Sequence, residues 1–313
     1  MIVERLSPRR LKEIVYGRFI ARRGRLPVYL ICLGCFFAFA GGAPAGQEDK
    51  AGTWRASTIG MDFVYVEGGI FTMGCGPWCG RCEDNAVPPH RVKLTSFYMA
   101  VTEVTNRQWK TVMGSSSPRE DELPDFPKEN LSWFSAAAFA NSLSRAEGLQ
   151  PCYELADCTG VPGREYTCKQ VSIQQSCTGF HLPTEAQWEY ACRSGGKEEK
   201  YCGSNRAVDV AWGGEGIFDT APVGKKQPNE LGLYDMSGNV WEWCQDWYGP
   251  YPDNAIISVD PQGPATGEER IIRGGSGAHD RTSTARESIS PEYWEYHFGI
   301  RLVRRSLNHG GRS

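Results

Sequence analysis

Residues 229–248 read N-E-L-G-L-Y-D-M-S-G-N-V-W-E-W-C-Q-D-W-Y. The stretch holds Trp241, Trp243 and Trp247, three of the ten tryptophans, and sets Asp235, Asn239, Glu242 and Asp246 among them. Large aromatics favour burial, whereas carboxylates avoid it unless they are paired or bound to a cation. Gly232 and Gly238 supply bend points between closely spaced oxygen side chains, which is the donor pattern of a hard-cation site. A turn-rich core segment whose acids face water would have the same spacing. The stretch by itself leaves both readings open.

Working outward, the N-terminus differs from everything after it. Residues 1–27 carry eight Lys and Arg against Glu4 and Glu13, and residues 28–40 form an unbroken apolar run ending Ala38-Phe39-Ala40. A helix needs about 20 residues to span a bilayer, so this run is too short. A basic start, a short apolar core and small residues at its end fit a secretory signal cleaved after Ala40. Leu33-Gly34-Cys35 is a faint lipoprotein box, Arg22-Arg23 a faint twin-arginine pair, and an uncleaved anchor is the plain alternative. The expected division is a signal peptide over 1–40, a flexible leader over 41–57, one domain over 58–305 and a tail over 306–313. The mature protein is then expected outside the cytoplasm, periplasmic or extracellular, with no membrane span. The whole chain carries −3, and loss of the signal removes a net +6, leaving about −9. Phosphate contacts need Lys and Arg, so nucleic acid is not an expected partner.

Ten cysteines remain after the signal, an even number that reads first as disulfides in an exported chain. Four of them, Cys152, Cys158, Cys168 and Cys177, fall in a polar insertion over 151–179 that shows little apolar periodicity. Cross-links matter most in such a segment. Cys75, Cys79 and Cys82 have the spacing of an iron–sulfur cluster in radical enzymes. The chain lacks the βα repeat of those barrels, and a disulfide-clamped loop is the expectation. A zinc site would need a fourth ligand, for which His90 is nearest.

The remaining pattern is α+β with little regular structure. Residues 61–73 alternate around Gly68-Gly69 and predict a β-hairpin. Residues 91–94, 97–101, 271–273 and 298–303 read as strands. Thr105, Ser132 and Thr184 are N-caps for helices over 106–113, 133–147 and from 185 to the Gly195-Gly196 pair.

Seven phrases now line up in order. They are M-D-F-V-Y-V-E-G-G-I-F-T-M-G over 61–74, P-H-x-V-x-L over 89–94, F-Y-M-A-V-T-E-V-T-N over 97–106 and H-L-P-T-E-A-Q-W-E-Y-A over 181–191. Residues 232–243, R-G-G-S over 273–276 and F-G-I-R over 298–301 complete the set. Together they resemble the formylglycine-generating enzyme, or sulfatase-modifying-factor, family across about 240 residues. The resemblance implies an irregular α+β, C-type-lectin-like fold. It also implies a structural calcium held by Asp235, the carbonyls of Gly238 and Val240, and Glu242. Oxygen donors at this spacing suit calcium.

The family's signature activity converts a sulfatase cysteine to formylglycine with copper held by two cysteines after R-G-G-S. This chain has no cysteine beyond Arg273. His279 stands where the first would be and Thr284 falls near the second, so copper or iron as a redox metal is left unassigned. His279, Asp280 and Arg286 are the candidate catalytic residues, with Arg281, Glu287 and Trp294 in the same expected cleft. A His beside an Asp can hold a tautomer or move a proton; a polar surface loop would read the same way. Arg273 and Arg301 read as partners of buried acids, and His90 and His181 as structural. The expected function is an exported, divergent oxidase or tailoring enzyme acting on a protein or peptide. A non-catalytic lectin-like binding module is the alternative, and a true formylglycine-generating enzyme with unusual ligands is the third.

Overall fold

The computed structural model describes residues 52–114, 117–213, 220–253, 255–277, 281–294 and 296–306. The expected signal peptide, His279 and Asp280 lie outside them. The first half of the domain contains strands β1 Thr53–Ala56, β2 Met61–Val66, β3 Ile70–Met73, β4 His90–Lys93 and β5 Phe97–Ala100. Helices α1 Asn106–Met113, α2 Pro118–Glu122 and α3 Trp133–Ala146 follow. Next come β6 Tyr153–Val161, β7 Arg164–Ile173, β8 Phe180–His181, α4 Glu185–Cys192 and α5 Ala207–Val210. The last part holds β9 Trp241–Trp247, β10 Ser258–Val259, β11 Arg270–Arg273, β12 Arg286–Ile289, β13 Phe298–Gly299 and β14 Val303–Arg305.

The caps set the helices. Thr105 accepts from Gln108 N–H while the Gln108 side chain returns to Thr105 N–H, and Thr184 and Gln187 repeat the arrangement on α4. Ser132 accepts from Ser135 N–H at the start of α3. Each satisfies donors that a bare helix start would leave open. Buried α3 lays Phe139 flat against Trp109 of α1, ring centroids 5.2 Å apart.

Strand pairing differs from the expected hairpin. β2 lies between β1 and β5 in a five-stranded sheet ordered β1-β2-β5-β14-β8. β3 pairs instead with β4 in a second sheet ordered β10-β4-β3. Gly68 passes so close to the chain at 94–96 that a Cβ there would sit 2.4 Å from the Leu94 carbonyl. The Gly68-Gly69 pair therefore marks a close backbone crossing rather than a tight turn. The leader is also shorter than expected, because β1 pairs with β2 from Thr53 and Trp54 is buried.

Other elements were not expected, β6, β7 and β9 among them. The insertion forms the longest hairpin, β6–β7, with Cys158 and Cys168 opposite each other and disulfide-bonded. A second disulfide, Cys152–Cys177, closes its base. Closing a loop of 25 residues removes about 3–4 kcal/mol of unfolded-state freedom in the chain-entropy model. β9, the core of the opening stretch, runs between β11 and β13 in the sheet β12-β11-β9-β13. The expected strand over 298–303 is divided: β13 joins β9, and β14 joins β5 and β8.

Among the described residues Cys75–Cys82 and Cys192–Cys202 complete four disulfides, while Cys79 and Cys244 are buried free thiols. The cysteine triad is thus a clamped loop with one thiol left over. His90 lies against Tyr251 with the rings tilted by 55° and their centroids 4.6 Å apart. Among the described residues no helix is long and apolar enough to cross a membrane.

Candidate functional site

The expected cation residues sit on the approach to β9 and at its start. Asp235, Gly238 and Asn239 all have positive φ, at 61°, 93° and 65°. Asp and Asn tolerate this region; at Gly238 only glycine fits, because a Cβ would lie 2.2 Å from the Trp212 carbonyl oxygen. The two Asp235 oxygens accept from Trp212 Nε1–H at 2.7 Å and Gly224 N–H at 2.6 Å. Glu242 accepts from Trp188 Nε1–H at 2.7 Å and from Arg301 through both oxygens.

A third acid, Glu103, joins them. Its Oε1 accepts from Asn239 Nδ2 at 3.0 Å, and its Oε2 is buried with no partner. Glu103, Asp235 and Glu242 are at most 2% exposed, and Arg301 is paired with Glu242. Burial pushes Glu103 well above the usual carboxylate range; neighbouring Asp235 adds to this and Arg301 opposes it. Burial also raises Asp235, against the hydrogen bonds from Gly224 and Trp212. Among the described residues no three His, Cys, Asp or Glu side chains form a metal cage by themselves. A cation here would therefore need main-chain oxygens as well as carboxylates. Oxygen is the donor type that a hard cation takes, and the carboxylate oxygens of Asp235 and Glu242 already accept from Trp212, Gly224, Trp188 and Arg301.

A separate ionic group explains the other expected residues. Arg273 donates to Glu189 at 2.7 Å and also to the carbonyls of Ser283, Thr284 and Ala285. Arg286 donates from Nε and Nη2 to the two oxygens of Glu185, at 2.7 and 2.8 Å, and from Nη1 to the carbonyls of Asn85 and Gly249. Its guanidinium lies 4.1 Å from the Tyr251 ring centroid and its residue is 3% exposed. This corrects its placement in a cleft: Arg286 is bound inside the protein by a buried acid, an arrangement that Arg satisfies through its fork of donors. Arg281 donates to the Trp212 carbonyl at 2.8 Å, and Glu287 is exposed on β12. Thr284 is buried, with Oγ1 3.3 Å from Cys79 Sγ.

An open cleft of about 1440 Å³ lies elsewhere, lined by α1, the β6–β7 turn, residues 290–294 and Tyr296. Tyr293, Trp294 and Tyr296 give it an aromatic wall, with Trp109 buried beneath, and Val161 stands at its hairpin edge. Trp294 is 39% exposed and Tyr296 62%. Lys128 is buried in its floor, bonded to Glu120 and to the Glu129 carbonyl, with Nζ 5.5 Å from the Trp109 ring. Burial lowers the Lys128 pKa even though Glu120 opposes this. Arg164, Glu165 and Glu292 ring the mouth with both signs of charge. Of these residues only Trp294 was anticipated from sequence, because the others come from three distant segments. A second groove of about 900 Å³ is polar and includes Gln174, Gln187, Gln245 and Gln262.

This strand-rich frame with few helices, its β9 stretch and its buried acid–arginine pairs define a formylglycine-generating, C-type-lectin-like fold. The chain belongs to the family described as sulfatase-modifying factor enzyme 1-like, whose model matches residues 54–306. It is 34% identical over 216 residues to the chaperone protein LppX of Paenibacillus barcinonensis, covering 61% of this chain and 74% of that one. It is 30% identical over 303 residues to the formylglycine-generating enzyme of Streptomyces coelicolor, covering 85% and 96%. Among solved structures, Treponema denticola variable protein 1 superposes with a TM-score of 0.66 at 30% identity, over 81% of this chain and 98% of that one.

Proposed function

We propose that this family member binds a segment of polypeptide in the aromatic cleft, on a calcium-stabilised scaffold, in an oxidising compartment outside the cytoplasm. The observation that carries the reading is the exposed pair Trp294 and Tyr296, with half-buried Tyr293 beside them, along an open 1440 Å³ space. Exposed aromatics supply large contact area at small entropic cost, and a rim bearing both signs of charge suits a chain of mixed side chains. A relative named as a chaperone and relatives named as formylglycine-generating enzymes, which act on proteins, support a polypeptide as the partner. Asp235 and Glu242 with the carbonyls of Gly238 and Val240 hold the calcium, which offsets the buried negative charge. Four disulfides and the apolar segment at 28–40 support export.

The test is a titration of the mature protein with reduced, carboxymethylated α-lactalbumin and with a Cys-x-Pro-x-Arg peptide, followed by tryptophan fluorescence. Trp294→Ala should weaken binding at least tenfold without lowering the melting temperature. Wild-type binding that is indifferent to Trp294 and Tyr296 would place the polypeptide elsewhere.

A second reading, a tailoring oxidase, is favoured by one observation: the Cys79 thiol touches Thr284. That residue lies in the segment where the family places its copper thiolates, so a soft ligand is kept near the position. Cu(I) binding lost in Cys79→Ser, together with oxygen uptake on the cysteine peptide, would select this reading over simple binding.

A further inference from the structure

We infer that the polar groove at the start of α4 is a second binding site, built for a neutral, hydroxyl-rich ligand of the saccharide class. The groove encloses about 900 Å³, and it shares no lining residue with the aromatic cleft, so it stands independently of the polypeptide reading above. Its size is that of an ordinary ligand pocket.

The strongest ground is a ring nitrogen without a partner. His181 lines this groove and is 5% exposed, and its Nε2 is buried and makes no hydrogen bond. The opposite nitrogen fixes the tautomer. Nδ1 lies 2.8 Å from the Leu182 carbonyl, which can only accept, so Nδ1 carries the proton and Nε2 presents a lone pair. Burial lowers the ring's pKa to about 4, with nearby Arg305 adding to this, so it stays neutral at physiological pH. Strand alternation sets its direction. Phe180 stacks on Phe63 in the core, so His181 leaves the opposite face of β8. Val303, its register partner on β14, shares that face, as does Arg305 two residues on, which also lines the groove. A native interior seldom keeps a buried acceptor unmatched. The group that completes this one must bring a donor.

The rest of the lining selects the ligand. Its charged side chains are Lys93, Asp260 and Arg305. Asp260 accepts from Thr95 N–H and Oγ1–H, and Arg305 donates to Gln175. Neither a phosphate nor a metal finds a matching cluster there. Glutamines at 174, 175, 187, 245 and 262 dominate instead. Gln245 Nε2 donates to Gln262 Oε1 at 2.7 Å, and Gln262 Nε2 to the Asp260 carbonyl at 3.0 Å, which holds that wall in place. Gln187 gives its Oε1 to Thr184 N–H and keeps an Nε2 donor with no partner among the described residues. A neutral acceptor and a neutral amide donor match hydroxyls, which both donate and accept. Ile70, 49% exposed, and half-buried Ile173 offer apolar surface to the C–H face of a sugar ring. An extended peptide would instead need a free strand edge. Here edge strand β8 has two residues, and the Thr72 carbonyl of β3 is taken by Arg193.

The deciding experiment probes a printed array of bacterial and animal glycans with the mature wild-type protein, then measures the strongest binder by calorimetry. His181→Leu should weaken binding about tenfold or more, the loss of a buried hydrogen bond. His181→Gln, whose amide reaches the Nε2 position, should retain more affinity than His181→Leu. Gln262→Ala, at an exposed position, should cost about threefold or more at unchanged melting temperature. In the wild type, the 15N resonance of His181 Nε2 should move when the glycan is added. An array with no bound glycan overturns the inference. So does a bound glycan that leaves the Nε2 resonance unmoved and is indifferent to Gln262→Ala, because it sits elsewhere. Hydrogen-exchange protection of the groove by carboxymethylated α-lactalbumin, with no glycan bound, would overturn it in favour of a polypeptide ligand.

Discussion

Arg301 holds both oxygens of Glu242: Nη2 lies 2.8 Å from Oε1, and Nε lies 3.0 and 3.1 Å from the two oxygens, with neither side chain more than 1% exposed. The pair joins β9 to the segment between β13 and β14, and the same guanidinium reaches the Ala100 and Tyr234 carbonyls. One residue thus ties the end of β5 and the acid-bearing turn to the central strand.

In the presence of chelator, Arg301→Met should lower stability by about 3–5 kcal/mol, because it removes the charged partner of buried Glu242. The added Glu242→Gln change should recover part of that loss in urea unfolding. Strict additivity of the two changes would show that the pair is not energetically coupled.

Arg286→Met should also destabilise, by a similar mechanism at Glu185, yet leave affinity in the aromatic cleft within about twofold, since its guanidinium is enclosed by Glu185, Asn85, Gly249 and Tyr251. Lost affinity or activity at unchanged melting temperature would return Arg286 to the site.

Much of the frame was legible because its signals are local. Thr105, Ser132 and Thr184 mark helix starts by chemistry that involves only three following residues. The pairing of Arg273 and Arg301 with acids follows from the cost of burying an unpaired charge. The β6–β7 hairpin was hidden because much of it is exposed on both faces, so its residues do not alternate. The β2 and β3 assignment failed because Gly68 serves a crossing with residues 94–96 that no local pattern reports. The cleft was illegible for the same reason: Trp109, Val161 and Tyr296 meet only in three dimensions. Glu103 was passed over inside the family phrase at 97–106, where only its packing with Asn239 gives it meaning.

Two buried groups should give opposing pH dependence. His181, whose Nδ1 lies 2.8 Å from the Leu182 carbonyl, is lowered by burial to about 4. Its folded form resists protonation, so between about pH 6.5 and 4 stability falls as pH falls. Asp246 is raised to about 7, chiefly by burial and then by Glu185. Its folded form keeps a proton the unfolded chain gives up, so its contribution is present below about pH 4 and is lost as pH rises to 7. Each amounts to about 3–4 kcal/mol at full extent, because a tenfold change in proton affinity is worth about 1.4 kcal/mol. His181→Gln should therefore gain on wild type under acid, and Asp246→Asn should gain at pH 8, both read by denaturant unfolding at fixed pH. Variant-minus-wild-type curves that are flat with pH would contradict the assignment.

The cysteine arrangement gives a count. Thiol titration of the mature chain without reductant should find two thiols once unfolded, Cys79 and Cys244, and almost none in the native state, where both are buried. A count of zero would mean that the fifth pair forms.

The most direct test of the cleft is hydrogen exchange on the mature wild-type protein, with and without saturating carboxymethylated α-lactalbumin. The account predicts added protection at the β6–β7 turn, residues 161–165, and at 290–296, and its loss in Trp294→Ala. Protection confined to the polar groove at Gln174 and Gln262, or no protection anywhere, would contradict it.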